Sequence, residues 1–228
     1  MCIRERLMSD RKTIKPELMK DMRVYQISTR FFKLGLLIWN RLKIIGSHHI
    51  PNKGGVLIAS NHASFLDPPV VGVGYRKRPV HFMARDTLWS SPFSKWWLNS
   101  VGCIPISRNS GDSRALKLTI NALKKEQVVS IFPEGTRSEN GEIRDAKAGI
   151  GFIVRHSKCT VIPAYINGSF KAFSKNSKWI KPNKITICFG EPILPDMFEN
   201  QGFGRDAYND HAKLIMKKIR ELKDQFYS

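Results

Sequence analysis

The stretch Gly55-Val56-Leu57-Ile58-Ala59-Ser60-Asn61-His62-Ala63-Ser64-Phe65-Leu66-Asp67-Pro68-Pro69 joins a short apolar run to a cluster of polar side chains. The run Gly55–Ala59 has the length and the β-branched composition of a buried strand. His62 and Asp67 follow at the end of that strand, and α/β folds place their ligands at this end. The stretch therefore predicts a strand that delivers an imidazole and a carboxylate to one edge of a sheet.

The rest of the chain continues this pattern of short apolar runs, several of them separated by helical patterns. Further strands are predicted at Val80–Ala84, Cys103–Ile106, Val128–Phe132, Val161–Ile166 and Ile185–Phe189. Helices are predicted at Ser113–Lys125, Asp145–His156 and about Asp206–Gln225. Because strands alternate with helices, we expect an α/β fold: one domain with a mixed or parallel central sheet, flanked by helices.

An apolar and aromatic segment precedes this domain. Residues 27–45 are interrupted by Lys33, Arg41 and Lys43, and the longest run without a polar residue is Leu34–Trp39. Since a spanning helix needs about 20 largely apolar residues, we expect no span here. We expect residues 1–45 to form a basic amphipathic helical extension, which either lies on a membrane surface or packs on the domain formed by residues 46–228.

The charge balance points to a negatively charged partner. Thirty-eight Lys and Arg against nineteen Asp and Glu give a net charge of +19, and residues 1–60 alone carry +8. Nucleic acid, anionic lipid and acidic protein all fit this charge. The four cysteines are widely spaced and lack metal-site spacing, so we expect reduced thiols and no metal site.

His62 and Asp67 are suited to acid–base chemistry if the chain brings them together. The imidazole could take a proton from a hydroxyl while the carboxylate orients the ring and stabilises its cation. A continuous helix would place residues five apart about 140° from each other around its axis. Pro68 disfavours helical dihedrals at Asp67, so we expect a turn that folds Asp67 back towards His62. Asp67 and Pro68 are equally compatible with a simple helix start.

A second polar motif, Phe132-Pro133-Glu134-Gly135-Thr136-Arg137-Ser138, also follows an apolar strand. Pro and Gly favour a tight turn there, and the planar guanidinium of Arg137 suits a phosphate group. Glu134 could hold that arginine or bind a substrate hydroxyl. Taken alone, the motif is equally compatible with a solvated turn.

Four segments in this order resemble the sequence blocks of the glycerolipid acyltransferase family, in particular 1-acyl-sn-glycerol-3-phosphate acyltransferases of bacterial type. The segments are Asn61–Asp67, Gly102–Arg108, Phe132–Ser138 and Val161–Ala164, which together cover about residues 54–168. The chain departs from the family pattern at Pro105, Ser107 and Ala146, which weakens assignment of the exact acceptor.

The resemblance implies transfer of a fatty acyl chain from acyl-CoA or acyl carrier protein to lysophosphatidic acid, giving phosphatidic acid in phospholipid synthesis. His62 would be the general base and Asp67 its orienting partner. The residues implied in phosphate binding are Arg137, Glu134, Gly135 and Thr136, with Arg108 and Lys147 as further candidates. We expect no cofactor besides the acyl donor, and a location at the cytoplasmic face of the cell membrane on anionic lipid.

Other interpretations make different predictions. Another lyso-lipid or glycerol 3-phosphate could be the acceptor, and a covalent acyl-enzyme through Cys103 or Cys159 would be a different mechanism. A non-catalytic lipid-binding protein would keep the fold without turnover. A nucleic-acid-binding protein would fit the charge, but no recognised binding motif is present and we expect no nucleic-acid partner.

Overall fold

The computed structural model describes residues 21–107, 113–198 and 204–227. The strands are β1 (Lys43–Ile45), β2 (Val56–Ser60), β3 (Val80–Arg85), β4 (Ile104–Ile106), β5 (Val128–Ile131), β6 (Thr160–Asn167) and β7 (Thr186–Phe189). The helices are α1 (Met22–Asn40), α2 (Asp67–Gly74), α3 (Pro92–Ser100), α4 (Ser113–Lys124), α5 (Gly149–Ser157), α6 (Ser169–Phe173) and α7 (Arg205–Tyr227). Short 3₁₀ turns lie at Ser47–His49, Asp86–Trp89 and Pro195–Phe198.

The strands form one mixed sheet in the order β1-β7-β6-β2-β5-β3-β4. The five strands from β6 to β4 in this order run parallel, β7 runs antiparallel to β6, and β1 runs parallel to β7. The carboxyl ends of β6, β2, β5, β3 and β4 therefore meet at one side of the sheet, which we call the carboxyl edge. The predicted single α/β domain is confirmed.

Helices cover both faces of the sheet. One core packs α4, α5 and α7 against the sheet through residues such as Leu123, Ile153 and Ile215. The other packs α1 and α2 against the opposite face through Leu36, Val70 and similar residues. All residues of β2, β5 and β7 are buried, as expected for strands covered on both sides.

Two helix boundaries differ from the sequence prediction by more than one residue. The predicted helix at Asp145–His156 begins only at Gly149. The amide of Lys147 donates to the carbonyl of Pro133 at 2.9 Å, so the chain before Gly149 pairs with the turn after β5 and not with its own helix. The last helix extends to Tyr227, two residues beyond the prediction.

The predicted helical extension is too long at its carboxyl end. Helix α1 begins after Asp21, whose side chain caps the first turn, and ends where Arg41 adopts a left-handed conformation (φ 46°). Lys43–Ile45 then form the edge strand β1 alongside β7. The helical interpretation of these three residues was wrong because pairing with β7 outweighs their place in a helical pattern. The division at residue 45 into a docking segment and a second domain stays a prediction.

Candidate active site

Three adjacent parallel strands deliver the polar motifs to the carboxyl edge. His62 follows β2 in the middle of the sheet, Phe132–Ser138 follow its neighbour β5, and Arg85 ends the next strand, β3. The turn after β5 is joined to the turn after β2, since the amide of Ser138 donates to the carbonyl of His62 at 2.7 Å. The two sequence motifs therefore form one site.

His62 and Asp67 lie in direct contact. The ring Nδ1 is 2.8 Å from Oδ2 of Asp67, whose side chain is fully buried. The same oxygen accepts the amides of Ala63 and Ser64, each at 2.7 Å. Three donors that converge on one oxygen match a carboxylate, so Nδ1 carries the proton and donates it. In the neutral imidazole, this tautomer leaves Nε2 as the ring nitrogen that can accept a proton.

The local sequence explains this contact. The chain after His62 is not helical, and α2 begins only at Asp67, with Pro68 in its first turn. This arrangement turns the Asp67 side chain back to the amides of Ala63 and Ser64 and to the imidazole. The predicted fold-back of Asp67 is present. A helix also starts here, but Leu66 is its N-cap, so Asp67 is the first helical residue and not the cap that the alternative required.

The imidazole of His62 is held by a stacked aromatic ring as well as by Asp67. The ring of Phe132 stacks on it with centroids 4.0 Å apart and an interplanar angle of 16°. About a sixth of the His62 side chain stays exposed (17%). A ring held by a carboxylate and a stacked phenyl ring has a fixed orientation, which general base catalysis needs.

Glu134 has a role that the sequence did not indicate. It is 2% exposed, and its two oxygens accept the amides of His62 at 2.9 Å and of Arg144 at 3.2 Å. Burial raises the pKa of Glu134 to about 7, although both amides lower it. Since both oxygens are engaged by backbone amides, this geometry favours a positioning role over the phosphate-binding role that we predicted.

Arg137 lies beside a second arginine. Its Cζ atom sits 3.4 Å from the centroid of the Phe65 ring, a cation–π contact that fixes the guanidinium plane. Burial and the positive charge of Arg85 lower the pKa of Arg137, while Asp67 raises it. The buried Nη1 atom has no hydrogen-bond partner among the described residues. Two neighbouring guanidinium groups with an unused donor form a site suited to a dianion such as a phosphate monoester.

The remaining predicted residues lie in or next to the same turn. Gly135 has a φ of +69°, and an added Cβ would contact the Lys147 side chain at 2.9 Å. Lys147, a predicted phosphate-binding candidate, therefore lies over this turn. Thr136 is partly buried in the turn. Arg108, the other predicted cation, lies outside the described residues.

Sequence reasoning missed Arg85, Phe132 and Phe65 as parts of the site. Arg85 is the last residue of β3, and its position at the end of a predicted strand was the available signal. The two aromatic residues stood inside the quoted motifs, but spacing alone does not show that one ring stacks on His62 and the other on Arg137.

The thiols are poor candidates for a nucleophile. Burial raises the pKa of Cys103 to about 12 and that of Cys159 to about 11. The thiolate is the reactive form, so both cysteines are held in the unreactive state. The geometry favours the imidazole mechanism over a covalent acyl-enzyme.

Comparison with known proteins identifies the family of this chain. A protein-family model described as Acyltransferase matches residues 41–167, which include His62, Asp67 and Arg137. The chain belongs to the acyltransferase family. Among the relatives of this acyltransferase are two proteins named 1-acyl-sn-glycerol-3-phosphate acyltransferase. The one from Bacillus subtilis is 26% identical over 87% of this chain and 100% of its own. The one from Streptococcus pneumoniae is 28% identical over 85% of this chain and 72% of its own.

A crystal structure shows the same fold. The 1-acyl-sn-glycerophosphate acyltransferase PlsC from Thermotoga maritima superposes on this acyltransferase with a TM-score of 0.73 at 23% identity, covering 91% of this chain and 85% of its own. This similarity supports the α/β architecture described above.

Proposed function

We propose that this enzyme transfers a fatty acyl chain from acyl-CoA or acyl carrier protein to the free hydroxyl of 1-acyl-sn-glycerol 3-phosphate, giving phosphatidic acid. The observation that carries the proposal is the His62–Asp67 pair beside the Arg85–Arg137 pair at one sheet edge. A proton acceptor next to a dianion site matches an acceptor that carries both a hydroxyl and a phosphate. The names of the two bacterial relatives support the same acceptor.

The reaction follows from the fixed tautomer of His62. Nε2 takes the proton of the acceptor hydroxyl as its oxygen attacks the thioester carbonyl, and the new C–O bond forms. Collapse of the tetrahedral intermediate breaks the C–S bond, and the imidazolium returns its proton to the departing thiolate. Asp67 stabilises the imidazolium between these steps. Such general base catalysis contributes about 10²–10⁴-fold.

The acceptor is oriented by its phosphate. Arg85 and Arg137 would bind the headgroup, and Lys147 over the Gly135 turn would add a third cation. Because the phosphate is held, the glycerol hydroxyl lies at a fixed distance from Nε2. Binding energy thereby orients the hydroxyl for proton transfer. An acceptor without a phosphate would lose this orientation.

An exposed apolar stripe on α1 supports docking on a membrane surface. We call Ile27, Phe31, Leu34 and Ile38 the docking stripe; they recur at helical spacing and are 61–74% exposed. The domain is contacted by other residues of α1, such as Tyr25 and Leu36, which are buried. In the described ranges, no helix has both the length and the hydropathy needed to cross a bilayer. A helix of this kind can lie among lipid headgroups, where a one-tailed lipid is available.

The proposal is tested by acyl transfer from both donors to a panel of lyso-lipids, with products identified by mass spectrometry. We expect phosphatidic acid from lysophosphatidic acid, without an added metal and in the presence of a chelator. His62→Ala should abolish turnover, whereas His48→Ala, a change at an exposed histidine outside the site, should not. A fully active His62→Ala enzyme would refute the assignment of the base.

The phosphate site is tested separately. We expect Arg137→Ala to raise the Michaelis constant for lysophosphatidic acid or lower its turnover, by about tenfold or more for loss of a charged hydrogen bond. Arg114→Ala, which removes an exposed arginine on α4, serves as the matched control. Equal loss with acceptors that lack the phosphate would count against a headgroup role for Arg137.

A further inference from the structure

A second cationic site lies on the other side of the catalytic strand. A cavity of about 470 Å³ opens at the carboxyl end of β6, and we call it the β6 cavity. Asn61 and Ala63, the two neighbours of His62, line it. Strand β6 flanks β2 on one side, whereas β5 and β3, which carry the arginine pair, lie on the other. The turn that carries His62 therefore lies between the arginine pair on one side and the β6 cavity on the other.

The β6 cavity is rich in lysine. Lys171, Lys184 and Lys223 line it, and none of them pairs with an acidic side chain in the described part of the chain. The one acidic lining residue, Glu142, accepts the side-chain amide of Asn140 at 2.9 Å. Three ammonium groups against one carboxylate leave a net positive charge. An anionic ligand would relieve the mutual repulsion of these lysines.

The wall of the β6 cavity contains a buried hydroxyl. Ser169 lines the cavity, is 1% exposed, and its Oγ has no hydrogen-bond partner among the described residues. Buried hydroxyl groups are normally hydrogen-bonded. This hydroxyl is an unsatisfied polar group in the cavity wall.

The walls of the β6 cavity are held in place before any ligand arrives. The side-chain amide of Asn183 donates to the carbonyl of Gly168 at 2.8 Å, and the Tyr227 hydroxyl donates to Oδ1 of Asn167 at 2.9 Å. These bonds tie the loop before β7 and the end of α7 to the end of β6. A preformed cavity loses less entropy when it binds a ligand.

We infer that the β6 cavity binds the phosphate groups of the acyl donor. This inference rests on the proposed function. The thioester carbonyl and the acceptor hydroxyl must both reach Nε2 of His62, and the acceptor phosphate belongs to the arginine pair. The donor therefore approaches from the β6 side. Both donors carry phosphate on the pantetheine arm that ends in the thioester, so the lysines would hold the far end of this arm.

The test compares a triple variant, Lys171→Gln, Lys184→Gln and Lys223→Gln, with a control of equal charge change. The control is Lys117→Gln, Lys124→Gln and Lys125→Gln, which alters exposed lysines of α4 and the residue after it. Michaelis constants are measured for acyl-CoA, acyl carrier protein and acyl-pantetheine, which has no phosphate. We expect the cavity variant to raise the constant for acyl-CoA by about tenfold or more. We expect acyl-pantetheine kinetics and the control to stay unchanged.

Each result has one meaning. A rise for both phosphate-bearing donors, or for acyl-CoA alone, supports the inference. A rise confined to acyl carrier protein would assign the lysines to the acidic surface of the carrier and overturn it. A rise for lysophosphatidic acid, an equal change with acyl-pantetheine, or no change at all would also overturn it. If neither donor acylates lysophosphatidic acid with the unaltered enzyme, the proposed function fails instead.

Discussion

Glu134 shows how one buried carboxylate can position a catalytic residue without touching its side chain. Its oxygens accept the backbone amides of His62 and Arg144, so it joins the turn after β2 to the loop that leads to α5. Burial raises its pKa from 4.5 to about 7. The Glu134 carboxyl group therefore changes its protonation state close to neutral pH. This group also fixes the backbone of His62 through a hydrogen bond.

This raised pKa makes a prediction about stability. Because the folded protein binds the Glu134 proton more tightly than the unfolded chain does, protonation stabilises the fold. That contribution is complete below pH 4.5 and is lost as the pH rises through about 7. The Glu134→Gln variant has no titrating group at this position, so it serves as the reference. The stability of the wild type relative to this variant should fall by about 1–3 kcal/mol in free energy of unfolding between about pH 5 and about pH 8. Urea denaturation of both proteins measures it, and a difference independent of pH would contradict it.

Helices α5 and α7 depend on the absence of a side chain at one position. Gly151 lies in α5, and an added Cβ would come within 1.9 Å of the Tyr208 carbonyl oxygen in α7. Both helices belong to the same core, which also covers β2 and β5. At this point the two backbones are packed so closely that no side chain fits between them.

We therefore expect Gly151→Ala to lower the free energy of unfolding by about 1–3 kcal/mol or more, since overpacking displaces backbone atoms. Gly35→Ala is the matched control: this glycine lies within α1 with no atom within 4 Å of an added Cβ. The control should be neutral or stabilise the protein by up to about 1 kcal/mol, because alanine favours helix. Thermal or urea unfolding compares the two; equal effects would refute the close contact.

The sequence predicted the elements with strong local patterns and missed those that depend on distant pairing. Every predicted strand is present, because runs such as Val56–Ser60 are buried on both faces. Strand β1 was missed because Lys43–Ile45 is short and lies at the exposed edge of the sheet, where it pairs with β7. The contact of His62 with Asp67 was predictable from Pro68. The proximity of Arg85 to Arg137 was not, since it depends on the order of strands in the sheet.

The molecule as a whole combines three features that suit work on a lipid surface. Residues 1–60 carry a net charge of +8 out of +19. The docking stripe on α1 is exposed, and the adjacent helix α3, joined to it by the Trp97–Ser28 hydrogen bond of 2.9 Å, exposes Phe93 and Trp96. Apolar insertion and electrostatic attraction to anionic lipid add together in such binding. A second protein copy could also cover an apolar stripe, so the two kinds of partner make different predictions.

Binding to vesicles separates these possibilities. We expect the protein to bind phosphatidylglycerol vesicles more strongly than phosphatidylcholine vesicles, and this preference should weaken as added salt screens the charges.

The docking stripe is tested by a double variant. Phe31→Ser with Ile38→Ser should reduce binding to both vesicle types by about tenfold or more, because the variant loses two apolar side chains that would move from water into the lipid. Leu194→Ser with Met197→Ser, which changes two exposed apolar residues outside α1, is the control. Acyl transfer to a detergent-dispersed acceptor should survive in both variants, since neither touches the His62 site. If the stripe variant binds vesicles normally but shifts from a dimer to a monomer, the stripe is a contact between copies and the membrane assignment is wrong.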